Sequence, residues 1–63
     1  MSKYFIYQVE EYNNGYSLSH AVIARSESEA VAVSLCEKAN ITKVVEVGLS
    51  HIKKTGRLAS ESL

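Results

Sequence analysis

The chain has 63 residues, with seven Lys or Arg against seven Asp or Glu and a formal net charge of zero. It contains one Cys, no Pro and 46% apolar residues, a composition typical of a globular domain and unlike collagen, a low-complexity chain or a disulfide scaffold. No apolar run reaches the roughly 18 residues that a bilayer span requires, and the first residues lack the apolar core of a signal peptide. We therefore expect a single cytoplasmic domain.

Two strands joined by a tight turn are predicted at the start of the chain. Residues 3–12 and 16–25 are rich in aromatic and β-branched types, which favour strands. Between them lies Asn-Asn-Gly, and Asn-Gly is a strong hairpin signal because both residues tolerate a positive φ. A loop of two or of three residues fits this turn, so the register of the hairpin stays open.

A capping box predicts the start of a helix at Ser26. The Ser26 hydroxyl can accept a hydrogen bond from the amide of Glu29, and the Glu29 carboxylate can reach back to the amide of Ser26. The helix is predicted over 27–39, with Asn40 in the left-handed conformation that ends it. Val33 falls outside the predicted buried face. That face consists of Val31, Ala32, Leu35, Cys36 and Ala39.

A third strand is predicted at 41–49 and completes an α+β fold. Alternation places four of its residues on one face, namely Ile41, Val45, Val47 and Leu49. We expect a single ββαβ domain over 1–50, with a largely antiparallel sheet of three strands and one helix packed on one face. The third strand can pair with either hairpin strand. Residues 51–63 form a basic tail, and the sheet has four strands if this tail joins it.

Both faces of this sheet are predicted to be rich in apolar side chains. In the first strand, they are Phe5, Tyr7 and Val9 on one side and Tyr4, Ile6 and Tyr12 on the other. One helix covers only one face. An antiparallel sheet whose second face meets solvent normally alternates between apolar and polar residues, and these strands do not. We therefore expect a cover over the second face: another copy of the chain, the folded-back tail or a target. Small size also favours association, since a domain near 60 residues buries only about 60% of its unfolded surface.

The candidate binding residues are aromatic or basic. Tyrosines combine a large contact area with a polar tip, so they can anchor a protein partner or stack on a nucleotide base. Lysines and arginines of the tail can bind phosphate groups. The selected residues are Tyr4, Tyr12, Tyr16, Lys53, Lys54 and Arg57. The neutral overall charge disfavours nucleic acid as a partner.

No catalytic or metal-binding pattern is recognised in the sequence. His20 and His51 lie 31 positions apart, Cys36 is alone, and no CxxC is present. Walker and GxGxxG motifs are missing, and the acidic residues suggest no carboxylate pair. We therefore assign structural roles to both histidines and to the cysteine, and we predict no enzyme, no metal and no cofactor.

Residues 24–30, Ala-Arg-Ser-Glu-Ser-Glu-Ala, close the hairpin and open the helix. In this feature, the chain resembles small bacteriophage and prophage accessory proteins, whose strands often end in such a turn before an amphipathic helix. The resemblance covers about residues 3–47. It implies a compact viral protein that acts in the host cytoplasm by binding a host component, and it carries no functional residue over.

The leading functional hypothesis is a non-enzymatic, homodimeric binding module that engages a protein through its sheet surface or its hairpin tyrosines. One alternative is a ligand-sequestering protein that holds a phosphate-bearing small molecule, such as a nucleotide, in a dimer cleft. A second alternative is weak nucleic-acid binding through the basic tail.

Overall fold

Four antiparallel strands form one sheet in the computed structural model, which describes residues 3–58. The strands are β1 (Phe5–Asn13), β2 (Tyr16–Ala24), β3 (Ile41–Leu49) and β4 (Gly56–Arg57), in the spatial order β3-β1-β2-β4. The helix α1 (Glu27–Ser34) follows β2, and a 3-10 turn (Lys38–Asn40) precedes β3. The α+β class is confirmed, whereas the three-stranded ββαβ arrangement is incomplete because it lacks β4. Across residues 3–58, no helix is long and apolar enough to cross a membrane.

The hairpin turn contains two residues, which settles the register that the sequence leaves open. Asn14 and Gly15 have φ angles of 52° and 84°, in the left-handed region that Asn and Gly accept most readily. The two strands pair along their whole length, up to Phe5 opposite Ala24. This register places on one face the side chains that the hairpin contributes to the core cluster: Tyr7, Val9, Val22 and Ala24.

α1 begins at a Ser26 cap, as predicted, but the carboxylate of the capping box has another partner. Ser26 Oγ accepts a hydrogen bond from the Glu29 amide at 3.2 Å. Glu29 Oε1 accepts from the backbone amide of Arg25 at 2.7 Å rather than from that of Ser26, and Oε2 accepts from the Arg25 guanidinium at 2.9 Å. The hydrogen bonds from the Arg25 side chain and backbone lower the pKa of the Glu29 carboxyl.

The prediction of a helix over 27–39 is wrong at its C-terminal end. Leu35, with a φ of 63°, adopts the left-handed conformation expected of Asn40, so α1 stops at Ser34. Residues after Ser34 are not helical, so the buried face predicted from helical periodicity does not apply to them. The side chains that face the core are Ala30, Val33, Ser34 and, beyond the helix, Cys36. The expected core residues Ala32, Leu35 and Ala39 are exposed.

A fully buried serine occupies the core face because its hydroxyl has hydrogen-bond partners. Ser34 Oγ donates to the Val31 carbonyl at 2.7 Å and accepts from the Cys36 amide at 3.3 Å. A buried hydroxyl without partners would cost roughly 1–3 kcal/mol. Hydropathy alone would predict a buried Leu35 and an exposed Ser34, whereas Ser34 is buried and Leu35 is 79% exposed.

Two register shifts in the β1–β3 pairing change the faces predicted for β3. They occur opposite β1 positions 6–7 and 10–11, where β3 contributes an extra residue. Each extra residue interrupts the alternation, so Ile41 and Val44 pack against the core. The other three residues of the predicted face are exposed: Val45 (37%), Val47 (60%) and Leu49 (61%).

The sheet face opposite α1 is apolar at one end and polar at the other. By register, it carries Ile6 and Ile23 near the start of β1, and Glu10 and Ser19 near the hairpin turn. Ile52 and residues 54–58 line a cleft against Ile23, which is 3% exposed. The C-terminal segment of the chain therefore covers part of the apolar end.

The segment predicted as a basic tail, 51–63, supplies the fourth strand. Gly56 pairs with Ile23, Arg57 pairs with Val22, and the Leu58 amide donates to the Ala21 carbonyl at 2.8 Å. Residues 59–63 of this segment lie outside the described residues.

Replacing Leu35 by Gly is expected to raise the free energy of unfolding by about 1 kcal/mol, because Gly has no Cβ to strain the left-handed conformation. Little burial is lost, since Leu35 is 79% exposed. Leu35→Ala keeps the Cβ and is the matched control, for which no gain is expected. Urea unfolding measures both, and equal stability of the two variants would contradict this account of the helix end.

Acid is expected to weaken the Glu29–Arg25 cap. The folded-state pKa of Glu29 lies below its unfolded value, so its contribution to stability is complete above the ordinary glutamate pKa and is lost as the pH falls through the lowered one. Glu29→Gln should therefore reduce stability at neutral pH and make it less dependent on pH in the acid range. Glu27→Gln, the same change in the same helical turn, is the control. Urea unfolding at a series of pH values compares them, and identical pH profiles of the two variants would refute the prediction.

Candidate functional site

The three selected tyrosines lie at opposite ends of the hairpin. Tyr12 and Tyr16 flank the turn and are 54% and 71% exposed. Tyr4 precedes β1 and lies about 27 Å from Tyr12 along the strand, at roughly 3.4 Å per residue. Its ring centroid is 5.8 Å from Cζ of Arg25. Tyr12 and Tyr16 are neighbours along the hairpin backbone, but the register places their side chains on opposite faces, and Tyr4 lies apart from both.

The three selected basic residues have different surroundings. Lys53 lines a groove of about 300 Å³ beside Tyr4. Lys54 lines the cleft against Ile23. Arg57 is also among the residues that line that cleft, and its Nη2 lies 2.8 Å from Nδ1 of a histidine. Among the three candidate basic residues, Lys53 is thus the one that lies beside a candidate tyrosine.

A group of polar side chains that the sequence did not indicate as a site meets on the helix-covered side of the sheet. Glu11 of β1, His20 of β2 and Cys36, just after α1, place one donor atom each within 4.8 Å of one another. We call these three residues the Glu-His-Cys cluster. Glu11 pairs with Leu18 and Val9 pairs with His20, so Glu11 and His20 are diagonal neighbours on one face.

The hydrogen bonds of His20 define its tautomer. Nδ1 lies 2.8 Å from Nη2 of Arg57, and it must accept because a guanidinium can only donate. Nε2 therefore carries the ring proton and donates to Glu11 Oε1 at 2.7 Å. This hydrogen bond from His20 is the main cause that lowers the pKa of the Glu11 carboxyl, and the Cys36 thiol and the charge of Arg57 act in the same direction. The pair is a neutral imidazole bonded to a carboxylate.

The Glu-His-Cys cluster is largely shielded from solvent. The side chains of Glu11 and His20 are 12% and 18% exposed, and Cys36 is half-buried against the core. Thiol, imidazole and carboxylate groups are all metal ligands, so these residues could hold a cation. His51, the other histidine, is exposed and lies in the groove with Lys53.

Several exposed apolar residues lie along the free edge of the sheet. β3 is the edge strand, and no strand within residues 3–58 pairs with its outer side. Its exposed apolar residues continue into Ile52, which is 54% exposed. We call this surface the apolar edge: Val45, Val47, Leu49 and Ile52. Such a strand edge is a template for pairing with another chain.

Comparison with known proteins identifies no relative. No family model matches the chain, and no curated protein or solved structure has significant similarity to it. The features that bear on function are therefore the hairpin tyrosines, the groove beside Tyr4, the apolar edge and the Glu-His-Cys cluster.

Proposed function

We propose that this chain is a small, non-enzymatic binding module that works as a homodimer in the cytoplasm. The apolar edge carries the proposal, because it leaves large apolar side chains exposed along a nine-residue edge strand. Natural monomers normally protect such an edge with charges, Pro, bulges or short strands. β3 has no Pro, and its two bulges lie near its ends. The regular stretch 43–46 between them is open to a partner strand.

A second copy of the chain is the partner that we assign to the apolar edge. Two copies that pair antiparallel through β3 extend the sheet and bring their apolar residues together at the join. Antiparallel pairing centred on Val45 sets neither Lys43 nor Glu46 opposite its own copy, whereas in-register parallel pairing sets like charges opposite each other. The formal net charge of zero adds no overall repulsion between the copies.

The homodimer leaves its two hairpin tips available for a protein target. Tyr12 and Tyr16 are more than half exposed there, and tyrosines are frequent anchors of protein interfaces. The resemblance to phage accessory proteins supports a host protein as this target.

Sedimentation equilibrium at micromolar concentration is expected to give about twice the chain mass of 6.9 kDa. Val47→Lys should give the monomer mass, since a lysine on an edge strand opposes pairing. The matched control is Leu18→Lys, which places the same charge on β2, away from β3. Leu18 is 47% exposed. This variant should remain a dimer.

A folded wild-type protein of monomer mass over the whole concentration range would overturn the dimer. Dissociation by Leu18→Lys, with Val47→Lys still dimeric, would overturn the assignment of the interface to β3. Circular dichroism of each variant shows that the fold is retained.

A second candidate function is the capture of a phosphate-bearing small molecule such as a nucleotide. It is supported by the groove of about 300 Å³, which is lined by Lys3, Tyr4, His51 and Lys53 among others. Two ammonium groups can face a phosphate, and the tyrosine ring can stack on a base. The volume is at the lower limit for a small-molecule site.

Nucleotides and cyclic nucleotides are expected to raise the melting temperature of the wild-type protein if this groove is their site, because binding to the folded state stabilises it. Lys53→Ala should abolish the shift. Lys54→Ala removes an equal charge from the neighbouring cleft and should preserve the shift. A thermal-shift screen without any response, or an equal loss in both variants, would refute this function.

A further inference from the structure

We propose that the Glu-His-Cys cluster is a binding site for a divalent transition metal, with Zn²⁺ as the expected ion. Glu11 lies in β1, His20 in β2 and Cys36 in the loop after α1, and their donor atoms lie within 4.8 Å of one another. The proposal rests on this convergence and is independent of the dimer.

The distances suit a metal after a small adjustment of side chains. Zinc bonds of about 2.0–2.3 Å in a tetrahedron place ligand atoms roughly 3.3–3.8 Å apart. Glu11 Oε1 and His20 Nε2 are now 2.7 Å apart, and the widest separation in the cluster is under 4.8 Å. Side-chain rotations that move the donor atoms by about 1 Å bring all three to the required spacing.

The donor types select the ion. A thiolate, an imidazole and a carboxylate are the three ligand types that zinc takes in proteins, whereas Mg²⁺ and Ca²⁺ require oxygen ligands. The thiolate of Cys36 and the carboxylate of Glu11 together balance the charge of a divalent ion. Three protein ligands leave a fourth position for a water molecule.

Metal binding changes the protonation of two ligands. The Cys36 thiol loses its proton to solvent, because the thiolate is the metal ligand. His20 binds through Nε2, so its ring proton moves to Nδ1. Arg57, which has no acceptor atom, can then no longer bond to Nδ1. The bound metal and the Arg57–His20 hydrogen bond therefore exclude each other.

Titration of the reduced full chain with Co²⁺, in the absence of oxygen, tests the site. Cobalt adopts the geometry of zinc and shows a thiolate-to-metal charge-transfer band. We expect this band to saturate at one equivalent, to disappear on addition of Zn²⁺ and to be lost in Cys36→Ser. Glu11→Gln and His20→Gln should weaken binding at least about ten-fold. His51→Gln, which removes the exposed histidine, is the matched control and should bind like the wild type.

The proposal is overturned if the wild type gives no charge-transfer band, if Cys36→Ser retains it, or if His51→Gln weakens binding as much as His20→Gln does. A test on the wild type alone covers the case in which a variant does not fold. Zn²⁺ should slow the alkylation of Cys36, and a chelator should restore the rate. An alkylation rate that Zn²⁺ leaves unchanged also overturns the proposal.

Arg57→Gln tests coordination through Nε2. The glutamine carbonyl can accept a hydrogen bond from Nδ1–H, as outer partners of metal-bound histidines commonly do. We expect about ten-fold tighter Co²⁺ binding in this variant. Weaker or unchanged binding would refute coordination of the metal by Nε2.

Discussion

The two-residue turn at Asn14 and Gly15 is the constraint on which the other contacts of this protein depend. It sets the pairing of β1 with β2, and β1 in turn pairs with β3 on its other side. A slip of one residue would move every side chain of β2 to the opposite face of the sheet. The core residues Val9 and Val22 and the pair Glu11–His20 share a face in the observed register and would lie on opposite faces after such a slip. Stability and the candidate metal site therefore depend on the same turn.

The eight-residue length of α1 has consequences for the rest of the surface. The helix lies mainly over β2 and leaves the end of β3 uncovered, where Val47 and Leu49 are exposed. On the other face, Ile52 and residues 54–58 lie against Ile23, so the C-terminal segment covers part of the apolar surface of the sheet. Part of what remains exposed lies along the apolar edge, and its position on an unpaired strand is the physical reason to propose a second copy of the chain there.

The proposed dimer surface and the Glu-His-Cys cluster occupy different parts of the sheet. The apolar edge follows β3, whereas the cluster lies between β1, β2 and the residue after the helix terminus. Arg57 connects the cluster with β4, because its guanidinium bonds to His20 while its backbone pairs with Val22. A metal bound to His20 therefore competes with a hydrogen bond that helps to hold the C-terminal segment. Because the dimer surface and the metal site share no residue, the two proposals can be tested separately.

The sequence by itself determined the features that depend on neighbouring residues: the hairpin with its Asn-Gly turn, the Ser26 cap, the bounds of β3 and the α+β class. Tertiary structure alone decided the early helix end at Leu35, the buried Ser34 and the bulges that turn Val45 and Val47 outward. The Glu-His-Cys cluster also belongs to this second group. Its members are separated by 9 and 16 positions, so no local motif joins them. Local signals act through one or two turns of backbone, whereas bulges, helix ends and clustered side chains depend on contacts between distant segments.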